Sequence, residues 1–291
     1  MLGTRYSAGL ALMAAGVLGG CQSNRSDTAS GDSASTSQPA ASHATTVNVA
    51  AKDFAFEAPA KVPAGLVTMQ LANHGTELHH AQVIKLEQGK TLADLGQAMK
   101  NPGPPPAWIK FVGGPNAIPP GKNSNATAVL EPGRYAYLCL VWGPDKVMHA
   151  AKGMVREFEV VDSVSSAGKE LPTADLTINL VDYDFQSSRP LTPGRKTILV
   201  TNDGPQPHEL ALLKLAPGKK VEDFAHWAEG GMKGPPPAEP IGGVVSLDKG
   251  QRGTFTADLE AGNYGLICFH PDKKDGKPHL VHGMMKTIKV G

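Results

Sequence analysis

The segment LEPGRYAYLCL, residues 130–140, returns 129 residues later as LEAGNYGLICF, residues 259–269. In each copy a glycine-containing turn precedes an apolar run that ends at a cysteine, which is typical of a strand that starts at a turn. Further pairs share the same offset: Asn73 and Asn202, Gly75 and Gly204, His79 and His208, Lys85 and Lys214, and Gly121 and Gly250. So many matches at one offset indicate a tandem duplication, and the period is long enough for a whole domain.

The sequence therefore predicts two domains, residues 46–162 and 173–291, joined by a linker at 163–172. Within each copy the apolar residues recur mostly with a period of two, which favours strands. Strands are predicted at 46–49, 66–72, 81–86 and 154–160, and again at 176–181, 196–201, 209–215 and 285–290. One short helix is predicted in each copy, at 91–99 and 221–228. Short strands separated by turn residues predict an all-β protein made of two tandem β-sandwiches.

The first 45 residues have a different character. Residues 1–20 combine one positive side chain with a short apolar stretch, too short to span a bilayer, which is typical of an export signal. Leu18-Gly19-Gly20-Cys21 resembles a bacterial lipobox, which implies lipidation of Cys21; an ordinary signal peptide with a chance cysteine is the alternative. Residues 21–45 lack apolar bulk, so they predict a flexible tether. We therefore expect a lipid-anchored protein on the periplasmic side of the bacterial cell envelope, and Gln22 favours the outer membrane by resemblance to enterobacterial sorting.

Charge and cysteine content limit the function. The 28 Lys and Arg balance 27 Asp and Glu, for a net charge of +1. Because no basic surplus is available to neutralise phosphates, nucleic acid is excluded as a partner. The three cysteines permit at most one internal disulfide. If Cys21 carries a lipid, Cys139 and Cys268 would be equivalent thiols of two homologous domains. A disulfide between them is not favoured, because the two domains would have to face each other nearly site to site.

Residues shared by both copies include a set of potential metal ligands. The pairs are His79 and His208, Cys139 and Cys268, His149 and His279, and Met154 and Met284. Two His, one Cys and a weakly bound Met are the ligands of a blue copper centre. A buried Cys alone could be a small apolar residue, and the histidines alone could be polar turn residues. His270 lies two residues after Cys268 and competes with His279 as a possible ligand.

Each copy resembles a cupredoxin, the family of plastocyanin and azurin, over nearly its full length. The shared pattern is an Asn-x-Gly turn before the first His, a Tyr-x-x-x-Cys strand, a loop to the second His, and Met five residues later. The resemblance implies two Greek-key β-sandwiches, with one copper per domain held by the four ligands of that copy. The loops from Cys139 to His149 and from Cys268 to His279 are longer than in plastocyanin.

These ligands predict one-electron transfer with a redox protein partner in the envelope. A copper storage or delivery protein, with a copper donor or acceptor as partner, and a metal-free β-sandwich interaction module are the alternatives. An enzyme is not expected, because copper oxidases and nitrite reductases need further His ligands. Leu138 and Leu140 flank Cys139, Ile267 and Phe269 flank Cys268, and the chain has no His-x-His.

Overall fold

The computed structural model describes residues 44–100, 105–162 and 169–291, and most of their regular structure is β-strand. The strands of the first repeat are β1 (Thr45–Lys52), β2 (Ala55–Glu57), β3 (Lys61–Pro63), β4 (Gly65–Asn73), β5 (Gln82–Leu86), β6 (Ile109–Phe111), β7 (Asn123–Leu130), β8 (Gly133–Leu138) and β9 (Val155–Val161). Those of the second repeat are β10 (Leu176–Val181), β11 (Asp184–Ser187), β12 (Gly194–Asn202), β13 (His208–Leu215), β14 (Ala238–Leu247), β15 (Arg252–Leu259), β16 (Gly262–Ile267) and β17 (Met285–Val290).

The first repeat is a sandwich of two layers. Strands β2, β1, β4 and β7 form one layer, and β3, β9, β8, β5 and β6 form the other. Side chains alternate along β1, so that Val47, Val49 and Ala51 are buried while their neighbours face outward. These residues share a core with Tyr137 and Phe158 of the opposite layer. The period of two in the sequence thus gives one apolar face for each layer.

The second repeat is built in the same way. Strands β11, β10, β12 and β15 form one layer, and β14, β13, β16 and β17 form the other. Its core joins Ile178, Val200 and Phe255 of the first layer to Leu212 and Tyr264 of the second. The two cores are separate apolar clusters.

Each repeat also carries the short helix that the sequence predicts. These helices are α1 (Leu92–Ala98) and α2 (Val221–Glu229). Thr91 caps α1, because its hydroxyl accepts a bond from Asp94 N at 3.3 Å while the Asp94 carboxylate accepts one from Thr91 N at 3.0 Å. In α2, buried Phe224 packs in the apolar cluster beneath the helix. Together with the two sandwiches, the helices confirm the predicted fold class.

One feature of the fold lies outside the sequence predictions. Strand β7 pairs antiparallel with β15 through Thr127 and Thr254, so the two four-stranded layers form one eight-stranded sheet. Beside this pair, the Asn125 side chain donates to Thr256 O at 3.1 Å and accepts from Thr256 N at 2.9 Å. Local patterns in the sequence do not say which strand edges will meet, so the joint could not be predicted.

Several sequence predictions fall outside the described residues. The signal peptide at 1–20, Cys21, most of the tether at 21–45 and most of the linker at 163–172 lie there. The domain boundaries and the Greek-key connection also stay predictions. Across residues 44–100, 105–162 and 169–291, no helix has the length and apolar character that crossing a membrane requires.

Candidate metal centres

The first candidate centre brings together three side chains at strand ends. His79 lies shortly before β5, and its backbone pairs with Ile118 through bonds of 3.3 and 3.1 Å. Cys139 directly follows β8, and His149 begins a 3-10 helix, His149–Lys152. His79 Nδ1 lies 3.1 Å from His149 Nδ1, and Cys139 Sγ lies 3.7 and 3.4 Å from these two nitrogens. Three donor atoms from distant parts of the repeat thus face one point.

The second candidate centre repeats this arrangement. His208 opens β13, Cys268 directly follows β16, and His279 begins a 3-10 helix, His279–His282. His208 Nδ1 and His279 Nδ1 are 2.9 Å apart, and Cys268 Sγ lies 3.4 Å from His279 Nδ1. In each centre all three side chains are fully buried, and their ligand atoms lie within 4.8 Å of one another. Both cysteines are free thiols, as the sequence predicts.

The two predicted methionines lie beside the cysteines. Cys139 N donates to Met154 O, and Cys268 N donates to Met284 O, in both cases at 3.1 Å. Both methionine side chains are fully buried, each in the same apolar core as the cysteine of its repeat. Their role as metal ligands stays a prediction.

The Asn-x-Gly turn positions the first His of each centre. Asn73 Nδ2 donates to Glu77 O at 2.8 Å and to Ile118 O at 2.9 Å, and Asn73 Oδ1 accepts from Gly75 N at 2.9 Å. Its counterpart Asn202 makes the three equivalent bonds at 2.9, 2.7 and 2.9 Å. Because the Asn is buried and its amide is fully bonded, it fixes the loop that carries the ligand.

In the first centre, carboxylates hold the outer nitrogens of both histidines. Asp53 Oδ1 lies 2.7 Å from His79 Nε2, and Glu77 Oε2 lies 2.9 Å from His149 Nε2. Partial burial raises the pKa of Asp53, but hydrogen bonds from Thr76 and His79 outweigh burial and bring the pKa to about 2. An ionised carboxylate at Nε2 places the ring proton there and leaves Nδ1 free to bind a metal.

The second centre keeps only the first of these contacts. Asp182 Oδ1 lies 2.6 Å from His208 Nε2, as Asp53 does in the first repeat. Gln206 stands where Glu77 stands in the first repeat, and its amide donates to Asp182 Oδ2 at 3.0 Å. The second centre therefore lacks a carboxylate at the position of Glu77.

The carboxylate nearest to that position comes from Asp272, in the loop between Cys268 and His279. Its Oδ2 accepts bonds from Tyr183 OH at 2.6 Å and from Gln206 Nε2 at 2.9 Å, and it lies 3.8 Å from His279 Nε2. That distance is too long for a hydrogen bond. Among the described residues, His279 Nε2 has no hydrogen-bond partner although it is buried. The second His is thus held less tightly here than in the first centre.

Burial sets the protonation of the donor groups. It lowers the pKa of His79 and of His208, and it brings that of His279 to about 4, with the neighbouring His208 adding to the effect. Burial also raises the pKa of the Cys139 thiol to about 12 and that of Cys268 well above its ordinary value. His79, His208 and His279 are therefore neutral at neutral pH, and each thiolate needs a bound cation to balance its charge.

This donor set fits copper. Two imidazole nitrogens and one thiolate are ligands of a blue copper site, and in each repeat the three side chains that supply them are fully buried. The aromatic residue that follows Asp53 or Asp182 packs against the second His of the same centre. The Phe54 ring lies 5.0 Å from that of His149, and the Tyr183 ring lies 5.4 Å from that of His279.

The structure also distinguishes between His270 and His279. His270 Nδ1 bonds to Ser246 Oγ at 2.8 Å, and it is His279 whose nitrogen faces Cys268. Burial brings the pKa of His270 to about 3. His270 is thus a neutral side chain beside the centre rather than a member of the donor group.

Two further histidines, His80 and His282, are not among the donor groups of the two centres. His80 is buried, and its Nε2 accepts a bond from Leu140 N at 2.7 Å. His282 is partly exposed and pairs with Asp275 at 3.2 Å. His80 thus supports the strand end that carries the cysteine.

Sequence reasoning missed the carboxylates. Asp53 and Asp182 share the 129-residue offset, and each is followed by an aromatic residue, Phe54 or Tyr183. That repeated Asp-aromatic pair was a usable signal. Glu77 gave no such signal, because its counterpart in the second copy is Gln206.

Two β-sandwiches, each with a buried His, Cys, His group, form the arrangement that the sequence resemblance to cupredoxins implies. No protein-family model matches the chain, and no curated protein matches it. Among solved structures, it is similar to reduced auracyanin from the photosynthetic bacterium Roseiflexus castenholzii, at 26% identity and a TM-score of 0.29, over 40% of this chain and 98% of that one. Auracyanin A from Chloroflexus aurantiacus matches at 19% identity and a TM-score of 0.30, over 42% and 100% of the two chains. A blue copper oxidase from Nitrosomonas europaea matches at 16% identity and a TM-score of 0.25, over 85% and 86%.

Proposed function

We propose that the protein binds one copper ion in each repeat and carries single electrons. The observation that carries this proposal is the convergence of two Nδ1 atoms and one Sγ in each sandwich, within 4.8 Å of one another. His79, Cys139, His149 and Met154 would hold the first ion, and His208, Cys268, His279 and Met284 would hold the second. Bound copper supplies one-electron redox chemistry.

The protein's own residues would keep each site rigid and dry. Asp53, Glu77 and Asp182 hold imidazole rings by their outer nitrogens, and the Asn-x-Gly turns fix the loops that carry them. A rigid donor set changes little between the two oxidation states of copper, which favours electron transfer.

Copper stoichiometry tests this proposal. The mature chain, purified from membranes in detergent and loaded with Cu(II), should hold two coppers and show intense thiolate-to-copper absorption with the matching EPR signal. Cys139→Ser and Cys268→Ser should each leave one copper, and the double variant none. Failure of the wild-type chain to bind stoichiometric copper would overturn the proposal and favour a metal-free interaction module.

Voltammetry and activity assays separate the related functions. An electron carrier should give reversible one-electron waves, whereas a storage protein that holds only Cu(I) should cycle poorly. Three groups of potential metal ligands occur in residues 44–100, 105–162 and 169–291: the two centres, and Asp272 with Asp275 and His282. Each of these groups comes from a single repeat. Turnover of oxygen or nitrite by the loaded protein would identify an enzyme instead.

We further propose that Cys21 anchors the protein in the bacterial cell envelope, where it would exchange electrons with a redox protein. The lipobox-like Leu18-Gly19-Gly20-Cys21 and the polar residues that follow it support this location. Labelling with a fatty-acid analogue should modify the wild-type chain and not Cys21→Ala. Recovery of both chains in the soluble periplasmic fraction would contradict the anchor.

A further inference from the structure

The two repeats are joined near the centres by backbone hydrogen bonds. Gly113 N donates to Ser246 O at 3.0 Å, Val245 N donates to Gly114 O at 3.0 Å, and Asn116 N donates to Gly243 O at 3.1 Å. These bonds align a segment of the first repeat with β14 of the second. They fix the position of side chains that reach from one repeat into the other.

Asn116 is such a side chain. It is buried, with 2% of its surface exposed, and its Nδ2 lies 3.3 Å from Glu209 Oε2 and 3.1 Å from Leu210 O in the second repeat. Two residues further along the chain, Ile118 pairs with the backbone of His79. Asn116 is thus linked to a ligand of the first centre through two peptide units and one pair of backbone hydrogen bonds.

Glu209 lies beside two ligands of the second centre. It directly follows His208, and its backbone N donates to Cys268 Sγ at 3.4 Å. Its Oε1 accepts from Phe269 N, the residue after Cys268, at 2.8 Å. Glu209 is therefore bound covalently to His208 and hydrogen-bonded beside Cys268, while its Oε2 faces Asn116.

We propose that Asn116 and Glu209 form an electron-transfer link between the two centres. The connection runs from His79 through Ile118, Ala117 and Asn116, crosses one hydrogen bond to Glu209, and reaches His208. One electron would leave the reduced centre and enter the oxidised centre, with no bond made or broken and no net proton moved. This inference rests on the proposed function, since it requires copper in both repeats.

The link is present on one side of the pseudosymmetric interface. Val245 stands at the position of Asn116, and His80 stands at the position of Glu209. Val245 has no polar side-chain atom, and the His80 ring accepts its bond from Leu140 in its own repeat. A bond that each sandwich needs for its own stability would recur in both copies. A polar pair that is present on one side only therefore points to a role that requires the two repeats together.

A competing connection crosses the same interface. Gln82, three residues after His79, donates through Nε2 to Ser246 O at 3.0 Å, and Leu247, which follows Ser246, pairs with His208. We favour the Asn116–Glu209 link because Glu209 contacts both a His and a Cys ligand segment of the second centre. Comparison of the two side chains is therefore part of the test.

The test measures electron exchange between the centres. Pulse radiolysis of the fully oxidised two-copper protein delivers less than one electron per chain, and exchange between the centres appears as a relaxation whose rate is independent of protein concentration. Asn116→Leu should slow this phase about tenfold, equivalent to about 1.4 kcal/mol in barrier. Asn116→Ser, whose hydroxyl cannot reach Glu209, serves the same purpose if the Leu variant does not fold. Asn125→Leu, a change of an amide at the same interface away from the ligands, should leave the rate unchanged.

Two controls separate the link from a structural effect. Absorption spectra, reduction potentials and copper content should be unchanged in the Asn116 variants. In the metal-free protein, Glu209→Gln should shift the side-chain amide signals of Asn116 in a 1H–15N spectrum and not those of Asn125.

The outcomes are distinct. If both centres cycle but no concentration-independent phase is present, or if Gln82→Leu slows it and the Asn116 variants do not, the link is overturned while the proposed function stands. If the wild-type chain binds no copper, both are overturned.

Discussion

Glu77 Oε2 lies 2.9 Å from His149 Nε2, and the equivalent position of the second repeat holds Gln206 instead. The nearest carboxylate to His279 Nε2 there is Asp272, at 3.8 Å. The two centres thus share their donor atoms and differ in the charge behind the second imidazole. Because a carboxylate at the outer nitrogen makes the imidazole a stronger donor and stabilises Cu(II), we expect the first centre to have the lower reduction potential.

Glu77→Gln tests this difference directly. The amide keeps an acceptor for His149 but removes the negative charge, so copper affinity at the first centre should fall by about 10-fold or more and its reduction potential should rise. Both are measured in a Cys268→Ser background, in which only the first centre binds copper, by chelator competition and voltammetry. Glu131→Gln, at an exposed position of the same repeat, should change neither. Unaltered affinity and potential in Glu77→Gln would contradict a role for the carboxylate.

A glycine permits the close approach of the first ligand in each repeat. A Cβ added at Gly204 would lie 2.6 Å from His208 Nε2 and 3.1 Å from Asn202 Oδ1. Since that Nε2 is held by Asp182, the ring cannot move away without losing its bond. Gly204→Ala should therefore reduce binding at the second centre and leave one copper per chain, as measured by metal analysis and EPR.

Gly96→Ala is the matched control for this change. Gly96 lies in α1, and a Cβ there would meet no atom within 4 Å. Copper content should stay at two, and the unfolding free energy should rise by up to about 1 kcal/mol, because Ala is the better helix former. Two bound coppers in Gly204→Ala would show that the ring tolerates the added methyl group.

The sequence predicted the donor atoms better than their surroundings, for a physical reason. Cys139 and His149 could be recognised because the same residue types recur at nearly the same spacing in the second copy. Asp53 approaches His79 across the fold from 26 residues away, and an Asp before an aromatic residue is compatible with many ordinary turns. Asn116 could not be recognised at all, because its contact with Glu209 depends on how the two repeats pack.

Bound copper should stabilise each repeat. An ion that binds only the folded chain adds about 4 kcal/mol to the unfolding free energy when its free concentration is a thousand times Kd. Calorimetry should show a higher unfolding temperature with copper than after chelation, and Cys139→Ser or Cys268→Ser should each remove part of the increase. In the double variant, the unfolding temperature should be the same with copper as after chelation, and this variant controls for nonspecific binding. If the wild type gains no more than the double variant, the buried donor groups do not hold the metal.

A half-buried carboxylate at the interface should make stability depend on pH. Asp248 accepts a bond from Phe111 N at 3.2 Å, and burial raises its pKa above the ordinary 3.8 despite that bond. A carboxyl group whose pKa is raised by folding stabilises the fold when protonated, and this contribution is lost as the pH rises through the folded pKa. Asp248→Asn keeps an acceptor for Phe111 and does not titrate. Its unfolding free energy in urea, relative to wild type, should therefore increase from acidic to neutral pH. Asp258→Asn, at an exposed position on β15, should show no such trend, and a relative stability of Asp248→Asn that falls with rising pH would show that the ionised Asp248 supports the interface.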